Sequence, residues 1–176
     1  MKKILFILML ITSCICLSCN NSNREIIYSY VNGYGDAHLT LGNVGGWGAE
    51  VKSHEYKNGI GKITFKSTIT SIPEFAFINS IILKSITIPN SVTEIGDGAF
   101  RGCGNLSTVY CNATTPPNGG CLMFSYYKYN YEHFRDSHTE HKNLKCKIYV
   151  PTASVSAYKT AKNWSDYADN IVGYDF

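Results

Sequence analysis

The chain has 176 residues, a formal net charge of +3 and 16% charged residues, which allows one globular domain. Removing Lys2 and Lys3 with an export signal leaves a net charge of +1. With no basic patch of interleaved aromatics, the sequence gives no basis for nucleic-acid binding.

Met1 to Leu17 is not part of the fold. Lys2 and Lys3 form a positive n-region, Ile4 to Ile11 begin an apolar core, and small residues with cysteines come after it. That is an export signal. Two lipoprotein boxes fit: Ile11-Thr12-Ser13-Cys14 and Cys16-Leu17-Ser18-Cys19. The first has the better letters and the second the better position, because cleavage before Cys14 leaves a very short apolar region. We take residues 1–18 as signal and Cys19 as the lipidated residue, with 19–24 as a polar tether. The apolar run falls short of the roughly 20 residues a spanning helix needs. Contact with the membrane is then expected through the lipid alone.

Residues 25–60 read as an N-terminal β cap. Ile26 to Val31 is rich in strand formers and Asn32-Gly33 is a turn signal. His38 to Leu41 alternates, Glu50 to Tyr56 reads as a further strand, and Asn58-Gly59 turns the chain into the first repeat strand at Lys62.

From Gly61 to Pro117 the chain repeats at a spacing of 23. Ile63 recurs as Ile86 and Val109, and Phe65 as Ile88 and Cys111. Ile69 matches Val92, Ile72 matches Ile95, Phe77 matches Phe100 and Leu83 matches Leu106. A period of about 20–29 residues with Leu and Ile at these steps signals a leucine-rich-repeat solenoid. No unit can bury its apolar side alone, so each must stack on the next. One unit supplies a short strand (Ile86 to Ile88), a stop at Pro89, and a turn over Gly96-Asp97-Gly98. Asp97 can there cap a short helical turn carrying Ala99 and Phe100. Strands 63–65, 86–88 and 109–111 are expected side by side in a parallel sheet. Thr64, Thr87, Tyr110 and Tyr149 would form an outward row about 14 Å wide.

The run Ser85 to Leu106 resembles the leucine-rich repeat of the BspA-like bacterial surface proteins, and Ile148 to Phe176 resembles the closing segment of that family. The resemblance implies a surface-anchored lipoprotein at the outer membrane that contacts a host or bacterial surface protein in an adhesion-type role.

Residues 118–147 break the period and read as an aromatic and His-rich insertion. The repeat resumes with a strand at 148–150, and 148–176 close the chain as a C-terminal helical cap. Thr152 or Ser154 is expected to cap a helix through Lys162, with Trp164, Tyr167 and Ile171 closing the end. The fold class is thus a mainly-β leucine-rich-repeat solenoid with short helical turns and a cap at each end.

For ligand binding we single out Tyr126, Tyr127, Tyr129 and Tyr131 of the insertion, with Tyr110 and Tyr149 flanking it, because Tyr is a favoured interface anchor. A glycan stacking on the insertion tyrosines is the alternative to a protein partner. His133, Asp136, His138, Glu140 and His141 lie close together, but their spacing is no zinc signature, so neither metal nor cofactor is expected. Cys121 and Cys146 bracket the insertion and suit a disulfide, with Cys111 to Cys146 as the rival. No nucleophile elbow or helical His-Glu-x-x-His occurs, and the expectation is a non-enzymatic protein.

Overall fold

The structure, a computed structural model, describes residues 23–30, 45–127, 140–142 and 145–176. The signal, Cys14, Cys19, Asn32-Gly33 and the alternation at 38–41 lie outside them. The strands are β1 (Glu25–Tyr30), β2 (Val51–Lys57), β3 (Ile60–Phe65), β4 (Ser71–Ile72), β5 (Leu83–Ile88), β6 (Glu94–Ile95), β7 (Thr108–Cys111), β8 (Asn118–Gly119), β9 (Ser125–Tyr127), β10 (Glu140–Lys142), β11 (Lys147–Pro151) and β12 (Ile171–Tyr174). One α-helix, α1 (Val155–Thr160), lies between 3-10 turns at Thr152–Ser154 and Ser165–Asn170.

Seven strands form the main sheet in the order β12-β11-β7-β5-β1-β3-β2. The repeat strands β5, β7 and β11 are parallel, as the 23-residue spacing requires, and β12 continues the parallel run. β12 was not expected as a strand, although Ile171 stands 23 residues after Ile148 and is paired with it.

The first repeat strand departs from the expected order. β3 and β5 are not neighbours, because β1 lies between them and is antiparallel to both. The expected N-terminal β cap is therefore divided: β1 is inside the sheet and only β2 is at its edge. The physical reason is burial. Ile26 and Tyr28 point into the core and are at most 1% exposed. Tyr28 lies across Gly61, where any Cβ would collide with its ring. β2 and β3 meet in a hairpin at Asn58 (φ 53°) and Gly59 (φ 80°), the two left-handed residues a tight turn of this kind needs.

The opposite flank is made by the three two-residue parallel strands β4, β6 and β8. Between the two sheets runs the core, which contains the repeated positions Ile69, Ile72, Phe77, Val92, Ile95, Phe100 and Leu106. Phe77, Phe100 and Phe124 form one stack, with successive ring centres 5.1 and 5.2 Å apart and planes within 13° of parallel. Trp47 stands edge-on at the Phe77 end, while Trp164 and Tyr167 meet Phe124 at the other.

Phe124 corrects the expected boundary of the insertion. β8 pairs with β6, and Met123 and Phe124 are at most 1% exposed, so residues 118–124 belong to the repeat packing. Their spacing is 24 rather than 23. The stretches expected as short helical turns are not helices. Within them, alternate N–H groups bond three residues back (Ala99 to Gly96, Arg101 to Gly98) and forward to the next layer (Phe77 to Ala99, Phe100 to Met123). This alternation demands left-handed backbone, which appears at Phe75, Asn79, Gly98, Gly102 and Leu122. Asp97 does not cap its own turn; its carboxylate accepts the Cys121 N–H at 2.7 Å, one layer on. Ser154 likewise makes no side-chain cap and donates to the Thr114 carbonyl at 2.7 Å instead.

Candidate functional site

The outward face of the main sheet is set by strand pairing. Ile27 on β1 is opposite both Lys62 and Thr87. Thr87 is opposite Tyr110, Tyr110 opposite Tyr149, and Tyr149 opposite Val172. Because β1 intervenes, the row that holds Thr87 takes Lys62 from β3 and not Thr64, which corrects the expected row. The seven strands span about 29 Å across their six gaps, about twice the expected width.

The face divides into two halves. The β1–β3 half is polar. Lys62 and Glu25 form an ion pair at 3.4 Å with both side chains partly exposed, worth about 0–1 kcal/mol. The Ser29 and Ser85 hydroxyls share a hydrogen bond at 2.6 Å.

The β7–β12 half is aromatic. Tyr110 and Tyr149 stack with ring centres 5.2 Å apart and planes 20° from parallel. Tyr174 stands edge-on to both, at 5.6 and 5.7 Å. Phe176 stands edge-on to Tyr174 at 5.1 Å and to Tyr110 at 6.4 Å. Offset-stacked and edge-on pairs add about 0.5–1.5 kcal/mol each beyond area burial. Packing among the rings desolvates the Tyr110 hydroxyl, and with its neighbours Tyr174 and Tyr149 raises its pKa, so it stays a neutral donor and acceptor. Tyr110, Tyr149 and Tyr174 remain half-buried and Phe176 is exposed, so the cluster presents amphipathic surface to solvent.

The residues named from the sequence are placed unequally. Tyr110 and Tyr149 come together. Tyr126 and Tyr127 lie in β9, which pairs with β10 in a separate two-stranded sheet. Tyr129, Tyr131 and Cys19, like His133, Asp136 and His138, lie outside the described residues. Tyr174 and Phe176 were missed. The signal for them was Val172, which stands 23 residues after Tyr149 and places Tyr174 on the same face, two residues along.

Cys103, Cys111, Cys121 and Cys146 are all free thiols, and only Cys121 is exposed. A Cys111–Cys146 bridge is excluded by register, since β11 places Lys147 opposite Thr108 and Tyr149 opposite Tyr110. The two cysteines are thus about four residues, or 13 Å, apart along the strands, beyond the reach of a disulfide. Burial pushes the thiol pKa up to about 12 at Cys103 and Cys146 and about 11 at Cys111. Cys111 Sγ also lies 3.2 Å from the Tyr158 hydroxyl.

On the opposite flank an open groove of about 460 Å³ is lined by Glu74, Glu94, Asp97 and the glycines at 96, 119 and 120. The glycines answer a packing need. A Cβ on Gly96 would strike the backbone of Glu74, and one on Gly120 the backbone of Asp97. Among the described residues no group of three or more His, Cys, Asp and Glu side chains is placed to hold a metal ion. Among them, too, no helix is long and apolar enough to cross a membrane.

A search of the curated proteins finds no match. A family model described as BspA type leucine rich repeat region (6 copies) matches residues 51–144. A domain of this type suggests a protein-interaction or adhesion-type module. With its strands recurring every 23 residues and its family match covering more than half its length, the chain belongs to the BspA-type leucine-rich-repeat proteins.

Proposed function

We propose that this chain is a non-enzymatic, lipid-anchored surface protein whose outward sheet face binds another macromolecule. Its repeats stack as a solenoid. The Trp47 end and the Trp164–Tyr167 end act as caps that keep the apolar stack from water. The lipid sits on Cys19 and holds the domain at the outer membrane, facing a host or bacterial surface protein.

The observation that carries the reading is the aromatic cluster of Tyr110, Tyr149, Tyr174 and Phe176 on a flat face. Tyr supplies large contact area at low conformational cost and a polar tip for orientation. A sheet about 29 Å wide, with strands of four to six residues, comes near the roughly 800 Å² per partner of a standard interface. Four aromatic rings need a reason to stand in water, and a partner that covers them supplies one.

A glycan partner is the second reading, and the hydroxyls favour it. Thr87 and Thr108 half-bury theirs beside Tyr110, so rings for stacking and groups for hydrogen bonding share one surface. Presenting the mature domain to arrays of extracellular proteins and of glycans separates the two. Protein spots alone support the leading reading, glycan spots alone the second, and neither set would sink the proposal of a binding face.

A further inference from the structure

The two edges of the main sheet are built differently. At one edge, β2 exposes Lys52, Glu55 and Lys57, and its register shifts between Val51 and Ser53. Charges and a bulge are the usual guards against strand addition. At the other edge, β12 is Ile171-Val172-Gly173-Tyr174, with no charge, no proline and a regular register against β11. Val172 is 36% exposed. Asp175, the first charge after the strand, is bound to the Thr152 hydroxyl at 2.7 Å. Among the described residues nothing pairs with the free side of β12.

We propose that β12 is a homodimer edge, pairing antiparallel with β12 of a second copy about a two-fold axis normal to the sheet. Three arguments select a second copy. First, β12 is already ordered by β11 and by packing of Gly173 against Thr152 and Val155. A disordered peptide would have to order its own backbone for only four residues of pairing, while a preformed strand does not. Second, the outward side chains Val172 and Tyr174 are uncharged, so the two-fold brings no like charges face to face. Third, β2 is guarded, so head-to-tail addition of β12 to β2 is disfavoured and the assembly closes at two. The pairing keeps both outward faces on one side and sets the two aromatic clusters next to each other. This inference is independent of what the face binds.

Sedimentation equilibrium of the purified mature protein, in density-matched detergent, tests it. The expected result is a monomer–dimer equilibrium with a dissociation constant between about 10 μM and 1 mM, as suits so small a contact. Val172→Lys should weaken it at least about tenfold with the melt unchanged, and Lys57→Ser at the other edge should leave it as it is. A protein monomeric at about 1 mM, open-ended polymers, or a dimer indifferent to Val172→Lys would overturn the proposal. Should Val172→Lys not fold, hydrogen exchange at residues 171–174 of the unaltered protein decides. Protection that rises with protein concentration supports the edge, and protection independent of concentration refutes it.

Discussion

Phe100 is the residue on which most of the core converges. It lies between Phe77 and Phe124 with ring centres 5.1 and 5.2 Å away and is 1% exposed. Phe100→Ala should cost about 3–5 kcal/mol in a denaturant melt, since neighbours held on both sides cannot collapse into the space. A loss below about 1 kcal/mol would mean that the stack is not formed. Gly96→Ala should destabilise by about 1–3 kcal/mol because the new methyl meets Glu74 backbone. Gly104→Ala, with nothing within 4 Å, should change little. Equal effects would refute the close layer approach at Gly96. The cysteines give a pH prediction. Cys103, Cys111 and Cys146 have folded pKa values raised from 9.0 to about 12, 11 and 12, so below pH 9 both folded and unfolded thiols are neutral. Above pH 9 only the unfolded thiols ionise, so stability falls as pH climbs towards 11. A melting temperature flat from pH 8 to pH 11 would contradict this. The repeat partners were legible at this scale, because Ile63, Ile86 and Val109 must all face inward if each unit is to stack. The need for glycine at 96 and 120 was not legible, since it arises from a neighbouring layer's backbone.

Among the elements, strand order was the part the sequence concealed. Alternation in Glu25 to Tyr30 marks a strand but does not say which strands flank it, and β1 sits between two repeats. Phe124 was hidden by a single added residue, which shifts it to 24 from Phe100. β12 was hidden because Gly173 stands where Val150 would recur. These corrections move the boundary of the aromatic insertion. Replacing 128–139 with a short Gly-Ser linker should leave the thermal melt within a few degrees of the parent. Replacing 122–144 removes Met123 and Phe124 and should lower it sharply, with the loss of about 3–5 kcal/mol that a buried Phe commands. If both replacements melt alike, Phe124 is not part of the stack.

For the molecule as a whole, the proposed function joins an anchor to a binding face. If Cys19 carries the lipid, Cys19→Ser should move the protein from the membrane fraction to the soluble fraction, and Cys14→Ser should not. The reverse pattern would assign the anchor to Cys14. The binding face is the central claim, and it makes Tyr110 and Tyr149 its anchors in place of the insertion tyrosines. The preceding repeat carries Thr87 at the position of Tyr110, so Tyr110→Thr with Tyr149→Thr is a mild change for the strands. The most direct measurement is the affinity of this double variant for whatever the arrays capture, beside that of the 128–139 replacement. A binding face on the sheet predicts a loss of at least about 30-fold in the double variant, the scale of lost hot-spot residues, with unchanged affinity in the replacement. Full affinity in the double variant and none in the replacement would contradict it and place the site in the insertion.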